Sequence, residues 1–151
     1  MRKVGDVHGV ELEKVGSGDD SVRYAVIVGG RNVGFVDFMQ YYEPVLKIIE
    51  PYVALWAGPT LCVIHRAHGP MRCVERSDET HEIHALERLW VIEGELNVDL
   101  FDPRTEQILA TYYHTEVITN STLIDGLIRI RDFAGTVVTL DPRRSLQVCD
   151  E

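Results

Sequence analysis

Apolar and polar residues alternate along most of this chain, and glycine interrupts the alternation at similar intervals. The cadence shows in VGGRNVGFVDF around Gly30, WAGPTLCVIHR around Gly58, VIEGELNVDLFD around Gly94 and LIDGLIRIRDF around Gly126. These glycines lie 28, 36 and 32 residues apart, and Leu55-Trp56 recurs as Leu89-Trp90. A period of this size marks a small supersecondary unit copied along the chain, because a lone hairpin cannot bury its apolar face. Strands are predicted at 22–28, 33–38, 61–64, 71–74, 89–92, 96–101, 108–113, 127–130 and 137–140, with a further strand over 7–15. Gly29-Gly30 supplies the positive-φ positions of a tight hairpin between the first two. Alternation is strict through Leu96-Asn97-Val98-Asp99-Leu100, which places the leucines and Val98 inward and Asp99 outward.

The stretch from Asp37 to Trp56 admits two readings. Phe38, Met39, Tyr42, Leu46 and Ile49 fall near helical spacing, and Pro44 could open a short helix. Alternatively Val45 to Ile49 is a strand, with Glu50-Pro51 as a turn before Tyr52 to Trp56. The fold class expected either way is all-β, made of antiparallel hairpin repeats, blade-like or closed into a small barrel, with at most one or two short helices between Asp37 and Glu50. The expected core comprises Val63, Trp90, Ile92, Leu96, Val98, Leu100, Ile128, Ile130 and Val138.

The segment GELNVDLFDPRTEQILATYYHTEVITNSTLIDGLIRIRDFAGTVVTLDP resembles β-propeller blades of the quinoprotein or WD-repeat type. Asp102-Pro103 and Asp141-Pro142 match the Asp-containing turn of those families, and Gly126 and Gly135 match the glycines that open a strand. The resemblance extends over about 120 residues. The Trp-Asp dipeptide and the quinoprotein tryptophan docking signature are both absent. What it implies is a blade-like hairpin architecture, with no ligand or active residue carried over; an intermolecular ring of such blades is one arrangement it allows.

Length and composition fit a single β-rich domain over residues 1–151: a chain of this size buries roughly 70% of its unfolded surface. The apolar fraction of 45% and charged fraction of 26% are those of a globular protein. Fifteen basic residues against 24 acidic ones leave a net charge of −9, which opposes nucleic acid and anionic membranes and favours a basic protein partner. Cys62, Cys73 and Cys149 form an odd set without a CxxC pair, so free, mostly buried thiols are expected. The start Met-Arg-Lys-Val-Gly-Asp has no apolar stretch behind it, and no run is long enough to span a membrane, so cytoplasmic residence is the expectation.

Candidate chemistry is sparse. His81-Glu82-Ile83-His84-Ala85-Leu86-Glu87, followed at the right distance by Gly94, resembles the first cupin motif, in which two histidines and a glutamate hold a metal. Anchored on Glu87, His81 takes the first position and Ile83 occupies the second, and no second cupin motif follows. That resemblance implies His81, His84 and Glu87 as ligands of a divalent metal; otherwise they are polar residues before a buried strand. Cys62-x2-His65-x2-His68-x4-Cys73 has zinc-like spacing, but Cys62 and His65 point to opposite faces of a strand. GGRNVG lacks dinucleotide spacing, and there is no P-loop, HExxH or GxSxG.

The leading functional expectation is therefore a non-catalytic protein-binding module without a cofactor, such as an acidic inhibitor or immunity-type protein. Asp99 and Asp102 are its candidate contacts to a basic partner. The alternative is a cupin-like small-molecule binder or metal-dependent enzyme built on His81, His84 and Glu87. A homo-oligomer whose blades complete a ring with copies of the chain is the third.

Overall fold

The computed structural model describes residues 2–7 and 9–149, with side chains from residue 9 onward. His8, inside the first predicted strand, lies outside the described residues. The chain forms two compact units, Met1–Arg76 and Ser77–Glu151. In the first, β1 (Arg2–Val7), β2 (Val10–Ser17), β3 (Ser21–Val28) and β4 (Arg31–Met39) make one antiparallel meander. A second contains β5 (Val45–Ile49), β6 (Tyr52–Ala57), β7 (Thr60–His65) and β8 (Arg72–Glu75). The second unit repeats the plan with β9 (Glu82–Leu86), β10 (Leu89–Glu93), β11 (Asn97–Asp102) and β12 (Gln107–Tyr113), then β13 (Ile118–Ile124), β14 (Leu127–Asp132), β15 (Val137–Asp141) and β16 (Gln147–Val148). Among the described residues the sole helical element is a 3-10 turn over Pro142–Arg144.

The turns explain why the strands pair as nearest neighbours. Gly29 and Gly30 both have positive φ (56° and 79°), as do Asp125 and Gly126 (53° and 77°). Two consecutive left-handed residues twist a two-residue loop in the sense of the flanking strands. The register follows directly, with Val28 opposite Arg31 and Ile124 opposite Leu127.

The structure decides between the two readings of residues 37–56. No helix forms there: β4 continues to Met39, and Val45–Ile49 is a strand whose Val45 lies opposite Trp56 and whose Ile49 lies opposite Tyr52. Three of its five residues are β-branched, which suits a pleated surface better than a helix. Pro44 and Pro51 bracket the strand instead of entering it, and the helical spacing was a by-product of two adjacent period-two segments.

Within each unit the sheets meet through their alternating apolar faces. Val10, Leu12, Tyr24, Val26, Val28, Val36 and Phe38 of β2–β4 are buried with Val53, Leu55, Cys62 and Ile64 of β6 and β7. In the second unit Val91, Val98 and Leu100 meet Ile118, Ile128, Ile130 and Leu140. Each such side chain contributes about 1.5–3 kcal/mol when fully buried. The expected core residues are buried except Leu96, which is 44% exposed, and Val138, which is half-buried. Leu96 shares the parity of Val98 but precedes β11, in a turn where its N–H is donated to Asp78 Oδ2 at 2.7 Å.

A buried polar clamp joins the sheets of the second unit. Beyond β12, His114 Nε2 is 2.8 Å from Asp132 Oδ2 at the end of β14, and Tyr112 Oη is 2.8 Å from His114 Nδ1. The other Asp132 oxygen accepts the Thr136 N–H at 2.9 Å. The hydrogen bond from His114 holds the Asp132 carboxyl below its ordinary range against the opposing effect of burial. Burial in turn pushes the Tyr112 phenol up.

Trp90 is 2% exposed and packs on Phe101 at a ring separation of 5.7 Å. Trp90→Ala should therefore lose about 3–5 kcal/mol in urea unfolding; an unchanged midpoint would move the ring out of the core. For the clamp, a depressed carboxyl pKa stabilises the fold fully above its unfolded value of about 4 and progressively less as pH falls toward the folded value. The melting-temperature deficit of Asp132→Asn should thus be widest near neutral pH and shrink below about pH 4. A deficit that is constant with pH would show that the charge is not what matters.

Candidate functional site

His81, His84 and Glu87 are not gathered around one point. The Nε2 of His84, on β9, lies 2.7 Å from Ser121 Oγ on β13. The Ser121 hydroxyl donates to Glu93 Oε1 on β10. A hydroxyl has one proton, and this one is committed to the carboxylate, so His84 must present Nε2–H and serve as donor. The arrangement ties one sheet of the unit to the next; it does not set an imidazole to draw a proton from the serine. His81 faces the same glutamate from the other side, its Nδ1 3.7 Å from Glu93 Oε2 and its Nε2 3.2 Å from Glu79 Oε2. Glu93 holds the His81 imidazole above its ordinary range, with Glu79 adding to the effect and partial burial opposing it.

Glu87 sits in the β9–β10 turn at φ 57° and pairs with Arg143 at 2.8 Å. Both side chains are largely exposed, so the pair is screened and contributes little to stability. Among the described residues no group of three or more His, Cys, Asp or Glu side chains could hold a metal ion. Gly94, the glycine of the cupin-like turn, has a local explanation. A Cβ there would meet Asp78 Oδ2 at 2.5 Å and the carbonyl oxygens of Asn97 and Glu79 at 2.9 Å. Asp78 Oδ2 accepts the N–H groups of both Leu96 and Asn97, so the glycine makes room for a carboxylate that caps the turn.

Asp99 and Asp102 require a correction. They were expected to face outward, yet they are 1% and 7% exposed. All six residues of β11 are buried, so both faces of this strand are covered and alternation no longer separates core from solvent. Asp99 accepts the Thr111 hydroxyl at 2.7 Å, and Asp102 accepts Arg104 N–H and Nε–H at 2.9 and 3.3 Å. The Arg104 guanidinium holds Asp102 below the ordinary carboxylate range. The exposure on which their candidacy as contacts rested is absent.

The zinc-like spacing in the first unit also separates. Cys62 and Cys73 are together, whereas His65 stacks on His68 with ring centroids 4.5 Å apart and meets the edge of Tyr52. The thiols are free, as expected, but Cys73 is exposed and only Cys62 is buried.

The surface that the sequence reading missed lies at one end of the second unit, where strands give way to loops. Backbone hydrogen bonds bring three loops together there: His114 N–H to Leu96 O at 2.7 Å, Ile118 N–H to Glu95 O at 2.8 Å, and Phe133 N–H to Val117 O at 2.8 Å. These loops present Leu96, Val117 and Phe133 at 44%, 37% and 79% exposure, and Tyr113, the last residue of β12, is 75% exposed. Half-buried Glu95 and Glu116 belong to the same loops. Exposed aromatic rings held by a rigid backbone are anchors for protein association, and interleaved carboxylates favour a basic counterpart. The signal available in the sequence was that Tyr113 and Phe133 stand just where strand patterning stops.

No family model matches the chain, and no curated protein is matched. Solved structures do match. BamB from Moraxella catarrhalis is 16% identical over 98% of this chain and 47% of that chain, with a TM-score of 0.66. The WD40 domain of Toxoplasma gondii coronin is 10% identical over 93% and 42%, at 0.59. The computationally designed Ika4 protein is 15% identical over 89% and 86%, at 0.58. The chain thus spans somewhat less than half the length of these two natural structures. Likeness at such identities is one of fold: the expected all-β, blade-like antiparallel repeats are what the chain forms, and the propeller-blade resemblance holds at that level. The cupin resemblance gains no support. Among the described residues no helix is long and apolar enough to cross a membrane.

Proposed function

We propose that this chain is a non-catalytic protein-binding module that recognises a basic partner through the loop end of residues 77–151. The observation that carries this is the exposure of Leu96, Tyr113, Val117 and Phe133 on segments that backbone hydrogen bonds join, with Glu95 and Glu116 on the same segments. Such rings offer large contact area at small entropic cost, and the net charge of −9 steers a cationic protein toward them. Propeller-type neighbours, among them WD40 domains, support an interaction scaffold in general. An acidic inhibitor or immunity-type role is the narrower form of this reading.

A second reading, association with a second copy, is favoured by two sheet faces of opposite charge. On β2–β4 the face opposite the core carries Glu11, Glu13 and the Arg23–Asp37 pair around Ile27, Phe35 and Met39. On β13–β15 the corresponding face carries Arg129 and Arg131 among Thr122, Thr139 and Val137. One copy's acidic, apolar face complements another's basic one, and such a contact is heterologous, closing a ring or extending a filament.

Two measurements separate these readings. Replacing Tyr113 and Phe133 together with Ser should weaken capture of a basic protein from lysate at least tenfold while leaving the melting temperature within about 2 °C. Retained capture would remove the loop end as the binding surface. For self-association, light scattering should show a mass above that of one chain at low salt, falling toward it in Arg129→Glu/Arg131→Glu. A single-chain mass at every concentration and salt would eliminate the second copy.

A further inference from the structure

The geometry points to Cys62 and Cys73 as a thiol–disulfide exchange site, with Cys73 as the attacking thiol, Cys62 as the resolving thiol, and a small alkyl disulfide of the glutathione class as the oxidant. The two residues are register partners on β7 and β8, directly opposite across an antiparallel pair. Residues so placed have Cα atoms about 4.5–5.5 Å apart, inside the range of about 4.4–6.8 Å that a disulfide spans. Their sulfurs are 2.7 Å apart and unbonded. Formation of the bond therefore needs no rearrangement of the strands.

The environments of the two thiols divide the labour. Cys62 is 0% exposed and packs in the core with Val53, Leu55 and Ile64. Cys73 is exposed on β8, which among the described residues pairs with β7 alone and forms the edge of its sheet, so a dissolved disulfide can reach it. The hydrogen bond from Cys62 holds the Cys73 thiol below its ordinary range, against burial and the charge of Glu75. That same bond, together with burial, pushes Cys62 up. The exposed sulfur is thus the better thiolate, and the buried one is guarded against direct attack.

In the first step the Cys73 thiolate attacks one sulfur of the small disulfide. An S–S bond forms to Cys73, the original S–S bond breaks, and the departing thiolate takes the proton that Cys73 released. Next the Cys62 sulfur loses its proton and attacks Cys73. The protein disulfide forms, and the second small thiol leaves with that proton. Overall the protein loses two protons and two electrons, and one small disulfide gains them to become two thiols. The bond fastens edge strand β8 to β7 covalently.

The test uses the full chain carrying Cys149→Ser, so that only the pair can react, treated with oxidised glutathione and read by intact mass. The expected product is lighter by two hydrogens, resists alkylation, and shows slower amide exchange in β8 than the reduced form. In Cys62→Ala the expected product is a stable adduct of one glutathione on Cys73; in Cys73→Ser neither product forms at comparable rates. Circular dichroism of each variant confirms that it folds, and Cys62→Ser replaces Cys62→Ala where the latter does not. Two free thiols after prolonged treatment, or a persistent glutathione adduct in the chain with both cysteines, would overturn the assignment. So would an adduct on Cys62 in Cys73→Ser that forms as fast as the one on Cys73.

Discussion

A four-stranded antiparallel sheet has two faces, and the apolar half of its residues cannot be buried by the sheet itself. This constraint shapes everything else in the chain. Because side chains alternate, β2–β4 send Val10, Leu12, Tyr24, Val26, Val28, Val36 and Phe38 to one side, and the following sheet answers with Val53, Leu55, Cys62 and Ile64. The same solution recurs in residues 77–151 with Val91, Val98 and Leu100 against Ile118, Ile128, Ile130 and Leu140. Short turns between neighbouring strands keep each sheet a meander and so keep its apolar face continuous. The recurrence of Leu55-Trp56 as Leu89-Trp90 marks the second strand of two successive sheets, β6 and β10, whereas the turns that hold Gly30, Gly58, Gly94 and Gly126 are not all of the same rank within theirs.

Apolar packing is nondirectional, so it sets which faces meet more firmly than it sets their registration. Buried polar groups supply the direction. His114 reaches from the end of β12 to Asp132 on β14, and His84 reaches from β9 through Ser121 on β13 to Glu93 on β10. Each links strands of different sheets, and each satisfies groups whose burial without a partner would be costly. Of the two histidines that the cupin-like motif singles out, His84 is thus engaged in holding one sheet to the next, while His81 lies against Glu79 and Glu93. The commitment of the Ser121 proton to Glu93 means that His84 does not accept a proton from that hydroxyl.

How much of this was legible follows from what a period of two encodes. It fixes which residues share a face, so strands such as 22–28, 89–92 and 127–130 and the turns at Gly29-Gly30 and Asp125-Gly126 were readable, and the blade-like architecture with them. It does not say whether the opposite face is covered. In β11 both faces are: Asp99 went to the interior although its parity argued for solvent, and Asp102, expected outward although it shares the parity of Val98 and Leu100, is buried as well. Their partners, Thr111 across the strand pair and Arg104 in the turn, compensate for that burial, and they become evident only once the strand is paired. Leu96 failed oppositely: its parity was right, but the strand begins one residue later, where Asp78 caps the turn from a distance of many residues. Residues 37–50 left two readings open because two short strands in sequence can mimic helical spacing, and the pairing of Val45–Ile49 with Tyr52–Trp56 decides for the strand.

The candidate surface was hidden for a related reason. Patterning describes strands, whereas loops carry recognition because their side chains need not serve either sheet face. Tyr113 closes β12 and Phe133 follows β14, and the backbone hydrogen bonds of His114, Ile118 and Phe133 to Leu96, Glu95 and Val117 hold together the segments that carry them. Large aromatic area at 75% and 79% exposure is disfavoured in water unless something covers it. The backbone that holds those rings is anchored to the clamp of His114 and Asp132 immediately beside them, so the polar contacts that register the sheets also preorganise the loops. Preorganisation lowers the entropic cost of association, so on the proposed reading the stability of the sheets and the affinity of the loop end would be two readouts of one set of hydrogen bonds.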